Sequence, residues 1–270
     1  MEEDFQINFA RADNVAMPRL HYHNHFEIYY LFAGERYYYI ENRTYYVKKG
    51  SMIFVNKNHI HKTLDGGKLH ERAVVYFNDT FLEQNHGRDL DLLLSPFLNS
   101  NRIVELNNME QNYVENLLFQ MKNEYNDRNR QGRSIFFQSL LVQLLLLTAR
   151  KNAEMADVTY VPMNKKIYEA IDYCNAHFMK PLTMEGVSAN FYISSFHFSR
   201  LFKRYTGFNF TEYVNMLRIR EAQRLLRETS CKVIEIAEQV GYVNITHFNR
   251  KFKEITMMSP MEYKKLIKSK

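Results

Sequence analysis

The chain has 270 residues, and 46% of them are hydrophobic, which is enough apolar material for a folded core and excludes a disordered protein. Its formal net charge of +6 is unevenly distributed: residues 163–270 hold 18 Lys and Arg against 10 Asp and Glu, whereas residues 1–162 hold 18 against 20. This asymmetry indicates a basic module for nucleic acid joined to a different kind of domain.

The cysteines and the first residues of the sequence indicate the cellular compartment. Cys174 and Cys231 have neither metal-ligand nor disulfide-framework spacing, so we expect reduced thiols. The acidic start, Met1-Glu2-Glu3-Asp4, is the opposite of a signal peptide, and the longest apolar stretch, 136–149, is too short to span a bilayer. We therefore expect a cytoplasmic protein that has no membrane partner.

Short apolar and aromatic runs between residues 27 and 77 are separated by turn residues, a pattern typical of antiparallel strands. The predicted strands are 28–32, 37–40, 45–47, 52–55 and 73–77. Strands this short and this closely spaced predict a small barrel or jelly roll. The runs are rich in tyrosine, which can stack on a sugar or an aromatic ligand or form the barrel wall. These tyrosines are Tyr29, Tyr30, Tyr37, Tyr38, Tyr39, Tyr45 and Tyr46.

Histidines and a glutamate precede and follow the first strands. His21, His23 and Glu27 are separated by even numbers of residues, so on extended chain they share one face. The pattern His21-x-His23-x3-Glu27-x6-Gly34 resembles the first motif of the cupin family. Its second motif has the spacing of Gly50-x5-Asn56-x-Asn58-x2-His61, although Asn56 and Asn58 replace the usual Pro and Gly.

On an inward face these side chains would meet in the barrel mouth, where His61 would complete a set of three imidazoles and one carboxylate. Such a set suits Fe, Mn, Ni or Zn. Many proteins of this fold instead use these positions to hydrogen-bond an organic ligand, and a purely structural barrel is a third alternative. We favour the small-ligand pocket and expect no cofactor. His21, His23, Glu27 and His61 are thus the candidate effector-binding residues and, secondarily, the metal candidates.

Residues 107–126 and 133–151 predict two helices joined by a polar turn. The second helix is apolar on most of its circumference, so it needs burial on more than one side. The barrel can cover one side and a partner subunit another, with burial inside one chain as the alternative. We favour a homodimer. The predicted divisions are an effector-binding barrel (1–106), dimerisation helices (107–151), a linker (152–162) and a DNA-binding domain (163–270).

The C-terminal part contains one segment type twice, about fifty positions apart. Phe198-Ser199-Arg200-Leu201-Phe202-Lys203 matches Phe248-Asn249-Arg250-Lys251-Phe252-Lys253, and Thr, Glu and Tyr recur beyond it at the same offset. Upstream the offset slips by one residue. Two copies do not make a solenoid, so the repeat indicates one helical unit used twice.

The predicted helices of this part are 165–178, 183–190, 194–205, 212–228, 233–240 and 244–255. The repeated helices, 194–205 and 244–255, each bury two phenylalanines and present an outer face that is polar and basic. Arg200 and Arg250 on that face can bind guanine or phosphate, and Thr246 and Asn249 are candidate base readers. The candidate DNA-binding residues are Ser195, Phe196, Ser199, Arg200, Lys203, Asn244, Ile245, Thr246, Asn249, Arg250 and Lys253.

About the last hundred residues resemble the AraC/XylS family of bacterial transcription regulators. The resemblance is carried by Arg218-x3-Ala222-x2-Leu225-Leu226, Ile236-Ala237-x3-Gly241-Tyr242, Phe248-x-Arg250-x-Phe252-Lys253 and Ser259-Pro260-x-Glu262-Tyr263. Two positions depart from the family pattern and bear on turn geometry. Met257 stands where the second unit usually has Gly, and the first turn, at Phe191-Tyr192, has none.

The resemblance implies an α+β multidomain protein, with a cupin-like β-barrel and dimerisation helices followed by an all-α domain with two helix-turn-helix motifs. Its two reading helices would enter successive major-groove segments about 34 Å apart. The implied partners are double-stranded DNA, a small-molecule effector (a sugar is one candidate) and RNA polymerase.

The sequence therefore predicts a sequence-specific, ligand-responsive regulator that activates transcription and is not an enzyme. The alternative is a metal-dependent cupin enzyme with an accessory DNA-binding domain. We find no nucleophile elbow, phosphate loop or second catalytic carboxylate pair in the sequence to support it. A constitutive DNA-architectural protein is disfavoured by the ligand-type barrel.

Overall fold

The structure is a computed structural model that describes residues 5–12, 22–41, 43–64, 69–99, 101–127, 130–154 and 164–268. The chain divides into two compact units, Met1–Pro162 and Met163–Lys270. Most of the predicted linker, from residue 155 onward, lies outside the described residues, as does His21. No helix in the described parts of the chain combines the length and the apolarity that crossing a bilayer requires.

The first unit contains two antiparallel sheets. The strands are β1 (Phe5–Ala12), β2 (Phe26–Ala33), β3 (Glu35–Ile40), β4 (Arg43–Lys48), β5 (Ser51–Val55), β6 (His61–Leu64), β7 (His70–Phe77) and β8 (Ile103–Glu105). One sheet has five strands in the order β1-β7-β2-β5-β8, and the other has three in the order β4-β3-β6. The predicted strands correspond to β2, β3, β4, β5 and β7.

Strand β2 has two buried faces. Tyr29 and Leu31 belong to an apolar cluster that also draws on β3, β4, β5, β7 and β8, between the two sheets. Ile28 and Tyr30 belong to a second cluster on the opposite face of the five-stranded sheet. Because successive side chains of a strand point to opposite faces, β2 contributes to both cores at once. The cluster between the sheets is the interior of the predicted barrel.

Helices supply the other half of the second cluster. They are α1 (Thr80–His86), α2 (Leu90–Leu98, after a 3-10 turn), α3 (Asn108–Asn126) and α4 (Arg133–Glu154). Helix α3 begins with a capping box, in which Asn107 accepts from the Glu110 amide and Glu110 accepts from the Asn107 amide. The apolar stripe of α4 lies inside this cluster, at most 3% exposed: Phe137, Leu140, Leu141, Leu144 and Leu145.

This packing changes the interpretation of 133–151 as a dimerisation helix. The residues that called for a partner subunit are covered within a single chain, by the five-stranded sheet, α2 and α3. Among the large hydrophobic side chains described on α4, the exposed ones are Ile135, at 73%, and Phe136, at 39%. The alternative of burial inside one chain therefore accounts for the apolar stripe, because hydrophobic periodicity specifies a face to be buried and not what buries it.

The second unit consists of helices α5 (Lys165–His177), α6 (Met184–Asn190), α7 (Ser195–Thr206), α8 (Phe210–Glu228), α9 (Val233–Gln239), α10 (Ile245–Thr256) and α11 (Pro260–Lys268). The helix pairs α6–α7 and α9–α10 are the two helix-turn-helix units. Side chains of the long helix α8 form one wall of the second unit's core, together with Ile236, Phe248 and Phe252.

The turns of the two units reach similar geometry with different residues. Between the matched positions Ser188 and Ser194 the first unit has one residue fewer than the second has between Ala237 and Asn244, which is where the repeat offset slips. Tyr192 takes a left-handed conformation (φ 54°) in the first turn, and Gly241 takes it (φ 92°) in the second. The missing first-turn glycine has therefore not prevented the left-handed turn.

Candidate nucleic-acid interface and barrel site

The repeated helices α7 and α10 start with side-chain caps. Ser194 accepts a hydrogen bond from the His197 amide, and Asn244 accepts from the amides of Thr246 and His247. Such caps satisfy amides that have no partner within a helix and fix where the helix begins. Both helices bury the predicted phenylalanines completely: Phe198, Phe202, Phe248 and Phe252.

On α7 the predicted candidates divide into exposed and inward-facing side chains. Phe196, Arg200 and Lys203 are exposed, with Phe196 at 81%. Ser199 is half-buried. Ser195 is also half-buried, and its hydroxyl lies 3.0 Å from that of Ser188 on α6. Ser195 thus ties the two helices of the unit together, and Phe196, Arg200 and Lys203 remain on the surface of α7.

On α10 four of the candidates form an exposed face: Thr246, Asn249, Arg250 and Lys253. The side-chain oxygen of Asn244 caps the helix, and Ile245 packs against the core of the unit. Asn244 and Ile245 therefore have structural contacts of their own at the start of the helix. The face of α10 that can meet another molecule is polar and basic.

The outer faces of α7 and α10 are not equivalent in charge. Lys251 on α10 donates to Glu254 at 2.8 Å, an ion pair within the helix. The matched positions on α7 are Leu201 and Arg204, and Arg204 is exposed. Helix α7 thus carries a cation where α10 carries an anion, so the two surfaces should attract a polyanion unequally.

Helix α8 holds both helix-turn-helix units. Arg218 donates from Nε to the carbonyl oxygen of Phe178 at 2.8 Å and from Nη2 to that of Lys180 at 2.9 Å, just after α5. Its guanidinium also lies over the ring of Tyr242 in the second unit. The Tyr242 hydroxyl donates to Asn215 of α8 at 2.7 Å. One side chain of α8 therefore contacts the segment before α6 and the segment before α10.

Glu27 is the centre of a polar cluster inside the barrel. One of its carboxylate oxygens, Oε2, lies 3.0 Å from His23 Nε2 and 3.2 Å from His61 Nε2. Its other oxygen, Oε1, accepts from the hydroxyl of Tyr38 at 2.5 Å. Glu27, His61 and Tyr38 are completely buried. The structure thus brings together three of the four predicted effector residues.

The way His23 reaches this cluster differs from the sequence argument. His23 lies just before a bend at residues 24–25, which precedes β2, and not on the strand itself, so the even spacing from Glu27 does not align it. The bend places His23 Nδ1 3.0 Å from the carbonyl oxygen of His25 and turns Nε2 toward Glu27. His61 is the first residue of β6 in the opposite sheet.

Opposing effects set the protonation of Glu27. Burial alone would raise its pKa, but the charge of His61 and the hydrogen bonds from His23 and His61 hold the pKa well below the usual range. The pKa of the Tyr38 hydroxyl is raised, by burial and by the neighbouring Glu27 carboxylate. The cluster therefore contains a stable carboxylate that accepts hydrogen bonds from several donors.

A second polar group in the barrel escaped the sequence argument. Arg36 on β3 is only 1% exposed, and its Nη2 lies 3.1 Å from His70 Nε2. The guanidinium of Arg72 lies over the ring of the buried Tyr29. Strand parity could have predicted this position, because Arg36 and Tyr38 are two residues apart on β3 and therefore share its inward face. A charged residue on an inward face indicates a buried polar group.

The tyrosines have mixed positions. Tyr29, Tyr38 and Tyr45 belong to the cluster between the sheets, whereas Tyr37 and Tyr46 are about 40% exposed and lie 5.4 Å apart by ring centroid. Tyr30 faces the helices and donates to Glu115 at 2.6 Å. Of the two roles considered for the tyrosines, stacking on a ligand and forming the barrel wall, the buried ones therefore have the second.

The sequence matches two family models. Residues 4–145 match the AraC-like ligand binding domain, and residues 187–266 match a helix-turn-helix domain. The first match alone covers more than half of the chain.

Two relatives match over about 40–50% of this chain. The regulatory protein PocR of Salmonella typhimurium is 31% identical over 106 residues, 39% of this chain and 35% of that protein. The lactose operon transcription activator of Staphylococcus xylosus is 29% identical over 133 residues, 49% of this chain and 48% of that protein. The match thus spans less than half the length of these curated relatives.

Among solved structures, ToxT from Vibrio cholerae aligns with 97% of this chain and 98% of its own, at 16% identity and a TM-score of 0.41. The two family matches follow the division of the structure into a sheet-containing unit and an all-helical unit. The chain belongs to the AraC family of transcriptional regulators, with an AraC-like ligand-binding domain followed by a helix-turn-helix DNA-binding domain.

Proposed function

We propose that this regulator activates transcription in response to a small effector bound in the barrel, and that it reads two successive major-groove segments. Its family consists of transcription regulators and not of enzymes, which removes the alternative of a cupin enzyme with an accessory DNA-binding domain. The observation that carries the proposal is the matched pair α7 and α10. Each has an N-terminal cap and an exposed arginine at the same position, and α8 contacts both units.

Recognition of DNA in this proposal is divided among the exposed side chains. Arg200 and Arg250 reach base edges or phosphates from equivalent places on α7 and α10, and Thr246 and Asn249 have the polar groups that base edges require. Lys203 and Lys253 contact phosphates. Ser195, Ser199, Asn244 and Ile245 support the two helices. Phe196 offers an apolar surface suited to a thymine methyl group.

A DNA-binding titration with the full chain tests this assignment. Arg200→Ala and Arg250→Ala should each weaken binding by about 1–3 kcal/mol. Arg224→Ala is the matched control, because Arg224 is an exposed arginine of α8 that pairs with Glu221 and Glu228. Equal losses in all three variants would mean that only overall charge matters, and no loss in the first two would contradict the assignment.

The distance between reading helices has its own test. Helices that enter successive major-groove segments need half-sites one helical turn apart, about 34 Å. Five base pairs inserted between the half-sites would turn the second onto the far side of the duplex, so affinity should fall toward that of one unit. An insertion of ten base pairs restores the second half-site to the same side of the duplex but doubles the distance between the half-sites. Affinity should therefore fall with this insertion as well. Unchanged affinity with either insertion would refute the paired arrangement.

The effector site in this proposal includes His21, His23, Glu27 and His61, and a sugar is one candidate because hydroxyl groups suit its donors and acceptors. RNA polymerase is the expected partner of an activator. Variant His23→Ala should lose effector-dependent transcription and keep basal DNA binding. A normal response in that variant would place the effector elsewhere.

For the proposed homodimer, we expect Ile135→Asp to shift the sedimenting mass toward that of a monomer, because Ile135 is exposed on α4. An unchanged mass would place the interface elsewhere.

A further inference from the structure

Two arginines face the interior of the barrel. Arg36 of β3 is only 1% exposed. Arg72 of β7 is half-buried and lies two residues before Val74, a member of the cluster between the sheets, so both point to the same side of the strand. The guanidinium of Arg72 lies 5.9 Å from the ring centre of Tyr29. We propose that Arg36, Arg72 and Tyr29 bind the carboxylate of a small organic acid, and that such an acid is the effector. This inference rests on the proposed role of the barrel as the effector site.

The hydroxyl of Tyr29 is a buried donor for which no described residue supplies an acceptor. The side chain is completely buried. Burial raises the pKa of the hydroxyl to about 12, and the charges of Arg72 and Arg36 act against that rise. These two groups can only donate hydrogen bonds, so neither accepts the phenolic proton. Because a buried donor without an acceptor is costly, the hydroxyl indicates an acceptor that arrives with a ligand.

The contact between Arg36 and His70 orients the guanidinium. Nη2 of Arg36 lies 3.1 Å from Nε2 of His70. Because a guanidinium can only donate, Nε2 of His70 accepts, and its ring is neutral. This contact therefore holds the guanidinium in place without neutralising its charge. A carboxylate matches a guanidinium in shape, since its two oxygens can accept two parallel N–H bonds.

The charge of the ligand follows from the same groups. A carboxylate supplies a negative charge for the arginines and an acceptor for the Tyr29 hydroxyl at once. A phosphate dianion would also do so, but removing two charges from water costs more than removing one. A neutral sugar supplies the acceptor and not the charge. Among sugars, a sugar acid therefore fits this part of the barrel.

The position of Glu27 sets the orientation of the acid. Arg72 lies opposite Leu31 in the β2–β7 register, four positions along β2 from Glu27. The Glu27 carboxylate repels a second carboxylate, so the charged end of the ligand lies at the arginines. The rings of Tyr29 and Tyr38, with centroids 5.1 Å apart, lie between the two charged groups. The body of the acid therefore extends from the arginines along these rings.

Matched acids and amides test the requirement for charge. Acetate is compared with acetamide, and benzoate with benzamide, because each pair has nearly the same shape. They are titrated into the full chain without DNA, at an ionic strength kept constant with chloride, and binding is measured by calorimetry and by the melting temperature. We expect at least one acid to bind saturably and at least about tenfold more tightly than its amide. The melting temperature should rise by about 3–6 °C at about ten times Kd.

The outcomes separate this inference from the function proposed above. No saturable binding of either acid, or equal binding of acid and amide, would overturn the inference. Neither DNA affinity nor transcription enters the measurement, so a failure of the proposed DNA recognition would appear elsewhere.

Two arginine variants locate the acid. Arg72→Gln removes the charge of a half-buried side chain, and it should weaken binding of the acid by more than about tenfold. Arg11→Gln is the matched control, because Arg11 is an exposed arginine on β1 of the same sheet. It should bind the acid normally. Unchanged affinity in folded Arg72→Gln, or an equal loss in Arg11→Gln, would overturn the proposal.

Tyr29→Phe gives a test that does not depend on the choice of acid. It removes only the hydroxyl, so the protein without ligand should melt about 2–4 °C higher, while its affinity for the acid should fall. Tyr38→Phe is the matched control, because the Tyr38 hydroxyl donates to Glu27, and this variant should melt lower. If Tyr29→Phe also melted lower, its hydroxyl would have an acceptor within the chain, and the proposal would be overturned.

Discussion

Met257 at the end of α10 has the same left-handed backbone conformation as Gly207 at the end of α7. The φ angles are 64° and 78°, and each amide donates to the carbonyl oxygen four residues earlier, on Lys253 and Lys203 respectively. A residue with a Cβ atom pays about 1–2 kcal/mol for this conformation, whereas glycine does not. Met257 is 74% exposed, so little packing of its side chain offsets that strain.

Met257→Gly should therefore stabilise the helical unit by about 1 kcal/mol, since relief of strain exceeds the added entropy of the unfolded chain. Urea unfolding followed by helical circular dichroism measures this. Met261→Gly is the matched control, because Met261 is an exposed methionine in the first turn of α11. It should destabilise by less than about 1 kcal/mol, because glycine is a poorer helix former than methionine and the first turn feels only part of that cost. Effects of the same sign in both variants would contradict the explanation.

Gly241 is subject to a steric restriction as well as a conformational one. A Cβ atom there would lie 2.5 Å from the carbonyl oxygen of Met179 and 3.2 Å from Cζ of Arg218. Gly241→Ala should destabilise the unit by more than about 2 kcal/mol, because backbone strain and a clash with backbone add up.

Gly132→Ala separates these two contributions. Gly132 has φ 77°, but its added Cβ would meet nothing within 4 Å, so only the backbone strain applies. Its loss should be about 1 kcal/mol. Both variants are compared by urea unfolding, each in the unit to which it belongs. A loss for Gly241→Ala no larger than that for Gly132→Ala would show that the turn moves away from Met179 without cost.

Leu144 should behave as a residue of the chain's own core. Leu144 of α4 is completely buried in the apolar cluster that α4 forms with the five-stranded sheet, α2 and α3. Leu144→Ala should therefore lower the free energy of unfolding by about 2–5 kcal/mol. Ile135→Ala, on the same helix but 73% exposed, should change it by less than about 1 kcal/mol. Sedimentation of Leu144→Ala at a temperature where it is folded should give the wild-type mass. If Leu144→Ala lost the dimer while remaining folded, Leu144 would belong to a subunit interface and not to the core of one chain.

The two thiols should differ in reactivity. Burial raises the pKa of the Cys174 thiol to about 12, and the thiolate is the reactive form. Cys231 is only partly buried. Native protein treated with N-ethylmaleimide at neutral pH should therefore be labelled first at Cys231, and at Cys174 only after unfolding. Mass spectrometry of the digested protein locates the label. Equally fast labelling of both residues in native protein would contradict the burial of Cys174 in α5.

Local patterns predicted much of this architecture. The repeat placed Phe198 and Phe248 in equivalent cores, because helical periodicity is a property of a short segment. The strands β1, β6 and β8 were missed. Strand β1 pairs with β7, with Phe5 opposite Phe77, and a pairing across that separation has no signature in either segment alone.

The candidate site was predictable to a similar extent. Spacing associated His23, Glu27 and His61, and the structure brings them into contact, but their role as an effector site stays a prediction. The sequence did not reveal that a bend, and not a strand, positions His23. Nor did it reveal that Ser195 and Ile245 face their own unit, because both occupy the edge of a helical face, where a rotation of a few degrees decides exposure.

The double burial of β2 has a consequence for how this protein can vary. Every residue from Phe26 to Leu31 is buried, half of them facing the barrel interior and half the helices. In a saturation-mutagenesis library, tolerance along β2 should therefore be uniformly low and lack the alternation that β3 should show at its exposed Tyr37. Changes in ligand preference should then arise more readily on strands with one exposed face. Substitutions on β2 should be tolerated least, because each one disturbs a buried cluster.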